Sequence, residues 1–166
     1  MPSLYVTIWL ALWLFAGGEM GRARIPARVG WPWHASAIGL VFAIVHTLLS
    51  FDLVHGWNHD DAVLNTAMQT EAVFGVSFGA GVYVNYVFFA VWLLDLAWWR
   101  RAGGVHRRSR GLTLALQGFY LLIIVNAAVV FAVGWRRLLG AILVLLLLAA
   151  WRRRGSDEKI GVDAQL

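Results

Sequence analysis

The chain has 166 residues, 60% of them apolar or aromatic and only 14% charged, whereas soluble domains carry roughly 25% charged residues, so its surface is not built for water. The net charge of +5 does not point to nucleic acid, because the arginines stand in short clusters between long apolar blocks, with no aromatic-interleaved basic surface on which bases could stack. The absence of cysteine excludes disulfides, thiolate metal sites and cysteine nucleophiles.

The first apolar block covers residues 4–18. No basic segment precedes it and no small-residue cleavage pattern follows, so it is read as a retained first span and not a signal peptide. It is short against the ~20 residues a span needs. Residues 19–34 read as a Gly/Arg/Pro loop ending in Trp31-Pro32-Trp33, an aromatic edge of the kind found at headgroup level. The second span is expected over 35–54. A polar loop, His55 to Asp61, leads into a short interfacial helix over 62–71, capped by Asp60 or Asp61, with Val63, Leu64, Ala67 and Met68 on its apolar side.

The third span is expected over 73–99 and contains Gly75-x-x-x-Gly79, a small-residue face that lets another helix approach closely. A basic loop separates it from a fourth span over 112–134. The fifth covers 138–151, only fourteen residues but uniformly apolar, with flanking arginines able to snorkel. The tail, 152–166, is polar and read as disordered. The chain is thus predicted to be all-α: a polytopic integral membrane helical bundle of about five transmembrane helices in a single membrane domain, tryptophan-rich, with the lipid bilayer as its main partner.

Orientation follows from the arginines. With the N-terminus out and the C-terminus in, twelve of the fourteen basic residues face the cytoplasm, among them Arg22, Arg24, Arg28, Arg107 and the run from Arg152, and only Arg136 and Arg137 face outward. Lys159 is the sole lysine, an arginine preference that suggests a GC-rich bacterial genome and hence a bacterial cytoplasmic (inner) membrane.

Polar residues inside membrane spans tend to face the bundle interior and to mark function. At 1.5 Å per residue, His46, Asn85 and Asn126 fall near the midplane of spans two, three and four. They form either a layer of interhelical hydrogen bonds or a cofactor pocket, for which a single-His haem with an open sixth position is one candidate. Asp95, near the cytoplasmic end of span three, is expected to pair with an arginine or to face headgroup water.

The densest chemistry lies at the outer end. If the second helix continues through Gly56, then Asp52, His55 and His59 occupy i, i+3 and i+7 on one stripe, within an arc of about 60°. Glu71 or Asp60 from the next segment would complete a shell suited to a transition metal such as Zn, Cu, Fe or Mn. Neutral imidazole is needed for binding, so affinity would fall below about pH 6. The competing reading is a hydrated mouth of the bundle, with Gly56 ending the helix. Three functions are therefore weighed: a metal- or cofactor-binding membrane protein, a non-catalytic accessory subunit of a larger membrane complex or homo-oligomer, and a small transporter or channel. No reaction is assigned.

Overall fold

The computed structural model describes residues 2–24, 30–102 and 108–163, without the side chains of residues 23, 102 and 153–163. Arg28 and Arg107, counted above for orientation, lie outside the described residues, as do residues 164–166. The elements are α1 (Pro2–Arg24), α2 (Trp31–Leu53), α3 (His59–Phe74), α4 (Gly81–Ala102), α5 (Arg110–Val125) with a π-helical continuation (Asn126–Val130), and α6 (Arg136–Asp163). Four segments, Pro2–Arg22, Trp31–Leu53, Gly81–Arg101 and Arg110–Val130, are long and apolar enough to cross a membrane. α6 completes the bundle and buries Leu143, Leu147, Ala150 and Trp151. The protein is a multi-pass, all-helical membrane bundle.

α1 is its hub. Ala11, Phe15 and Ala16 are almost wholly buried, and the Phe15 ring meets Trp92 of α4 and Tyr120 of α5 edge-on, each at 5.0 Å between centroids. Aromatic pairs in this geometry contribute ~0.5–1.5 kcal/mol beyond the area they bury. α1 thus lies at the centre of the core.

Three boundaries differ from the sequence reading, each for a physical reason. First, α1 does not stop at residue 18 but runs to Arg24. Gly18 and Gly21 look like turn formers, yet α2 begins directly against them. A Cβ on Gly18 would stand 2.8 Å from Ser36 Cβ, and one on Gly21 2.6 Å from Pro32 Cγ. Glycine here serves close helix approach, the role that small residues play in membrane interfaces.

Second, the span expected over 73–99 begins at Gly81. Gly75 takes φ +70°, a left-handed cap that ends α3, and Gly79 tucks under Val63, whose carbonyl would be 2.7 Å from an added Cβ. The Gly75/Gly79 pair therefore makes a turn and not a helix-packing face. Third, the backbone of α6 continues as helix to Asp163, past the start of the stretch read as a disordered tail. The helix expected over 62–71 is present as α3, but its cap is Asn58, whose side chain accepts from the amides of Asp60 and Asp61. Leu64 and Met68 on α3 remain widely exposed, consistent with a face turned to lipid.

Candidate functional site

The bundle has two chemically distinct ends. The basic end gathers the last turns of α1 and α4, the start of α5 and the middle of α6. The opposite end carries the His/Asp loop between α2 and α3.

At the basic end, four ionisable side chains and a tyrosine are buried together. On α1, Glu19 and Arg22 sit three residues apart on one face, with Arg22 Nη1 donating to Glu19 Oε1 at 3.1 Å. The same guanidinium reaches α4 as a fork, with Nη1 donating to Asp95 Oδ2 at 2.9 Å and Nη2 to Oδ1 at 3.2 Å. It lies over the Trp99 ring, 4.2 Å from its centroid. From the segment entering α5, Arg108 Nη2 pairs with Asp95 Oδ1. From within α5, the Tyr120 hydroxyl donates to Asp95 Oδ2 at 3.4 Å. From α6, Trp151 Nε1 donates to Glu19 Oε2 at 2.8 Å.

Both oxygens of Asp95 are thus doubly engaged, and donors from α1, the α5 entry and α5 converge on one carboxylate. Among the described residues two acids face two guanidiniums, and such pairing is what allows charges to lie in an apolar bundle. An unpaired charge there would cost several kcal/mol. Tryptophans seal the region: Trp33 Nε1 donates to the Leu96 carbonyl at 3.1 Å and Trp92 Nε1 to Ser36 Oγ at 2.9 Å. Trp33, read from the sequence as part of an aromatic edge, thus also serves with Trp92 as a polar crosslink between α2 and α4.

Beside the cluster lies a crevice large enough for a water-sized group, lined by Arg22, Arg108, Thr113, Gln117 and Tyr120 together with both carboxylates. The Nε atoms of Arg22 and Arg108 are buried without a hydrogen-bond acceptor.

At the opposite end, α2 stops at Leu53, and Gly56 (φ +53°) and Trp57 (φ +60°) both take left-handed conformations. The helical stripe of Asp52, His55 and His59 is therefore interrupted. Asp52 accepts from Trp57 Nε1 at 3.0 Å, His55 packs edge-on against Phe51, and Glu71 is exposed on α3. His59 stacks on Phe51 with 6.1 Å between centroids. Its Nε2 lies 3.3 Å from the Tyr83 hydroxyl and its Nδ1 3.4 Å from that of Tyr86. A neutral imidazole presents one donor and one acceptor, so the two phenols play opposite roles. Among the described residues, no group of three or more His, Asp or Glu side chains is placed to hold a metal ion. We expect His59→Phe, which keeps the stacking and removes both polar contacts, to lower thermal stability in detergent by about 1 kcal/mol.

Among the described residues, no hydrogen bond joins His46, Asn85 and Asn126. His46 Nδ1 lies 3.0 Å from the Leu4 carbonyl, which can only accept, so this nitrogen carries the proton and ties α2 to the first turn of α1. Asn85 is exposed, and Asn126 Nδ2 donates to the Leu122 carbonyl of its own helix at 2.8 Å.

Glu19 carries no site reading in the sequence, Arg108 counts there only toward orientation, and Trp151 only ends the fifth span. The available signal was Glu19-x-x-Arg22 closing an apolar block, together with Asp95 set more than a helical turn inside its span. Both are acids where membrane helices rarely tolerate them unpaired. No protein-family model matches the chain, and no curated protein or solved structure gives a significant match.

Proposed function

We propose that this is a small transporter or channel of the bacterial cytoplasmic membrane, amino terminus outside, with the buried charge cluster as its cytoplasmic gate. The observation that carries the reading is the convergence of Arg22, Arg108 and Tyr120 on Asp95 from three separate segments at one end of the bundle. Stability alone does not explain such a cluster, since well-packed apolar residues of similar volume usually stabilise a fold as much or more. Arg22 bonds Glu19 and Asp95 together, and a second arrangement in which it keeps only Glu19 would supply the two discrete states a gate requires. Among the described residues, the ion pairs between elements lie at the basic end, while the opposite end is joined through His46, His59 and Arg137.

The natural lack of cysteine makes the test direct. A single Thr113→Cys probe, facing the crevice, is labelled with a membrane-impermeant maleimide in inverted vesicles. Adding Asp95→Asn is expected to speed labelling about tenfold, a shift of roughly 1.4 kcal/mol toward the open state, while a buried Ala43→Cys control stays protected. Equal Thr113→Cys rates with and without Asp95→Asn would leave a static clamp and end the gate reading.

A second reading rests on His46. Its Nδ1–H is held by a backbone carbonyl, the arrangement that orients ligating histidines and leaves Nε2 as the ligand atom. A haem or metal bound there would give the purified protein an absorption band that His46→Ala removes.

A further inference from the structure

We infer that the crevice between Arg22 and Arg108 binds a small monovalent inorganic anion of chloride size. Both guanidinium side chains are only 4% exposed, and both engage the carboxylates through Nη atoms while Nε lacks an acceptor. Two buried guanidiniums thus border one crevice, each with an N–H left without an acceptor. Gln117 and Tyr120 border the same space with further N–H and O–H groups. Its water-sized dimension suits a halide better than a phosphate or a lipid headgroup.

Two features of the surroundings favour the charge. The crevice adjoins the N-terminal turn of α5, a sixteen-residue helix whose cap, Ser109, engages only the Leu112 amide. The remaining amides and the helix dipole there attract anions. Arg24, Arg100, Arg101, Arg110 and Arg152 are exposed around the same end, and a field of one sign raises the local concentration of counter-ions. Glu19 and Asp95 also face the crevice. Arg22 and Arg108 pair with them, and the two carboxylates penalise each added negative charge, which favours a monovalent ion over a multivalent one. This inference rests on the geometry of the cluster and not on gating, since a static clamp would bind the same ion.

The test is thermal unfolding of the purified protein in detergent, with gluconate replaced stepwise by chloride at constant ionic strength. A saturable rise in Tm of about 3 °C or more is expected, matched by bromide and absent with sulfate. Arg108→Gln is expected to abolish it. Identical melting in chloride and gluconate would overturn the proposal and assign the crevice to water. An equal rise in Arg108→Gln would also overturn it, as a salt effect at the surface. If Arg108→Gln yields no folded protein, the wild-type comparison of chloride, gluconate and sulfate decides alone.

Discussion

Asp95→Ala is expected to lower the stability of the bundle by about 3–5 kcal/mol, the range found when one partner of a buried ion pair is deleted. The size comes from what is left behind and not from the carboxylate itself. Arg22 retains Glu19, but the Arg108 guanidinium, paired to Asp95, is left with its charge in a site almost closed to solvent. The Tyr120 hydroxyl loses the same acceptor and keeps only the Val91 carbonyl, at 3.5 Å. Asp95→Asn should be milder, because the amide oxygen still accepts from one guanidinium while the charge is lost. A double-mutant cycle with Arg22→Gln and Asp95→Asn, read by denaturation in mixed micelles, is expected to show a coupling of at least about 1 kcal/mol. Additive losses would mean that the two residues act separately and that the cluster is not a unit. Replacing Glu19, Arg22, Asp95 and Arg108 together by apolar residues of similar volume, so that no charge is left behind, is expected to recover most of the stability lost in Asp95→Ala.

How much of this was legible in the sequence depends on whether the signal was local. Apolar blocks announce membrane helices because each span must satisfy its own backbone in lipid, and the number and order of long helices follow from that alone. Their ends do not, since glycine has two opposite uses. Gly75 ends α3 through a left-handed φ, while Gly18 and Gly21 lie inside a helix because the start of α2 presses against them. Only the neighbour distinguishes the two cases, and the neighbour is a tertiary fact. The same limit hid the charge cluster, whose contacts join residues 73 and 132 positions apart.

Conversely, Asp52, His55 and His59 looked like a site because they are close in sequence, and their stripe held only while a helix ran through Gly56. Asp95 was rightly expected to seek arginine. The arginines it found come from α1 and the entry to α5 and not from its own helix, where Arg100 instead lies over Trp33 at 5.8 Å. Arg136 and Arg137, the pair that the charge rule sets apart from the other basic residues, have local work. Arg136 lies over the Tyr5 ring at 3.6 Å, and Arg137 donates to the carbonyls of Ala132 and Val130 at the end of the π segment.

That π segment leads to the second large effect, at Gly140. A Cβ on this residue of α6 would fall on the carbonyl oxygen and carbon of Ala128 and come 3.0 Å from its Cβ, so Gly140→Ala meets backbone that has no rotamer to change. α6 can run this close because α5 widens there into a π turn, with the Phe131 amide donating to the Asn126 carbonyl five residues back at 2.9 Å. Asn126 and Arg137 occupy carbonyls on either side of the turn, which holds the contact in place. Overpacking a tight core typically costs about 1–3 kcal/mol. With backbone as the obstacle, Gly140→Ala is expected at or above the upper end of that range, seen as a lower Tm and a smaller yield of monodisperse protein. Ala128→Gly should not rescue it, because it removes the more distant Cβ and leaves the carbonyl. Gly118→Ala in α5, where an added Cβ meets nothing within 4 Å, is the control and should be neutral or stabilising by up to about 1 kcal/mol. Rescue of Gly140→Ala by Ala128→Gly, or equal behaviour of Gly140→Ala and Gly118→Ala, would show that α6 does not seat against the π turn and that the end of α5 is built differently.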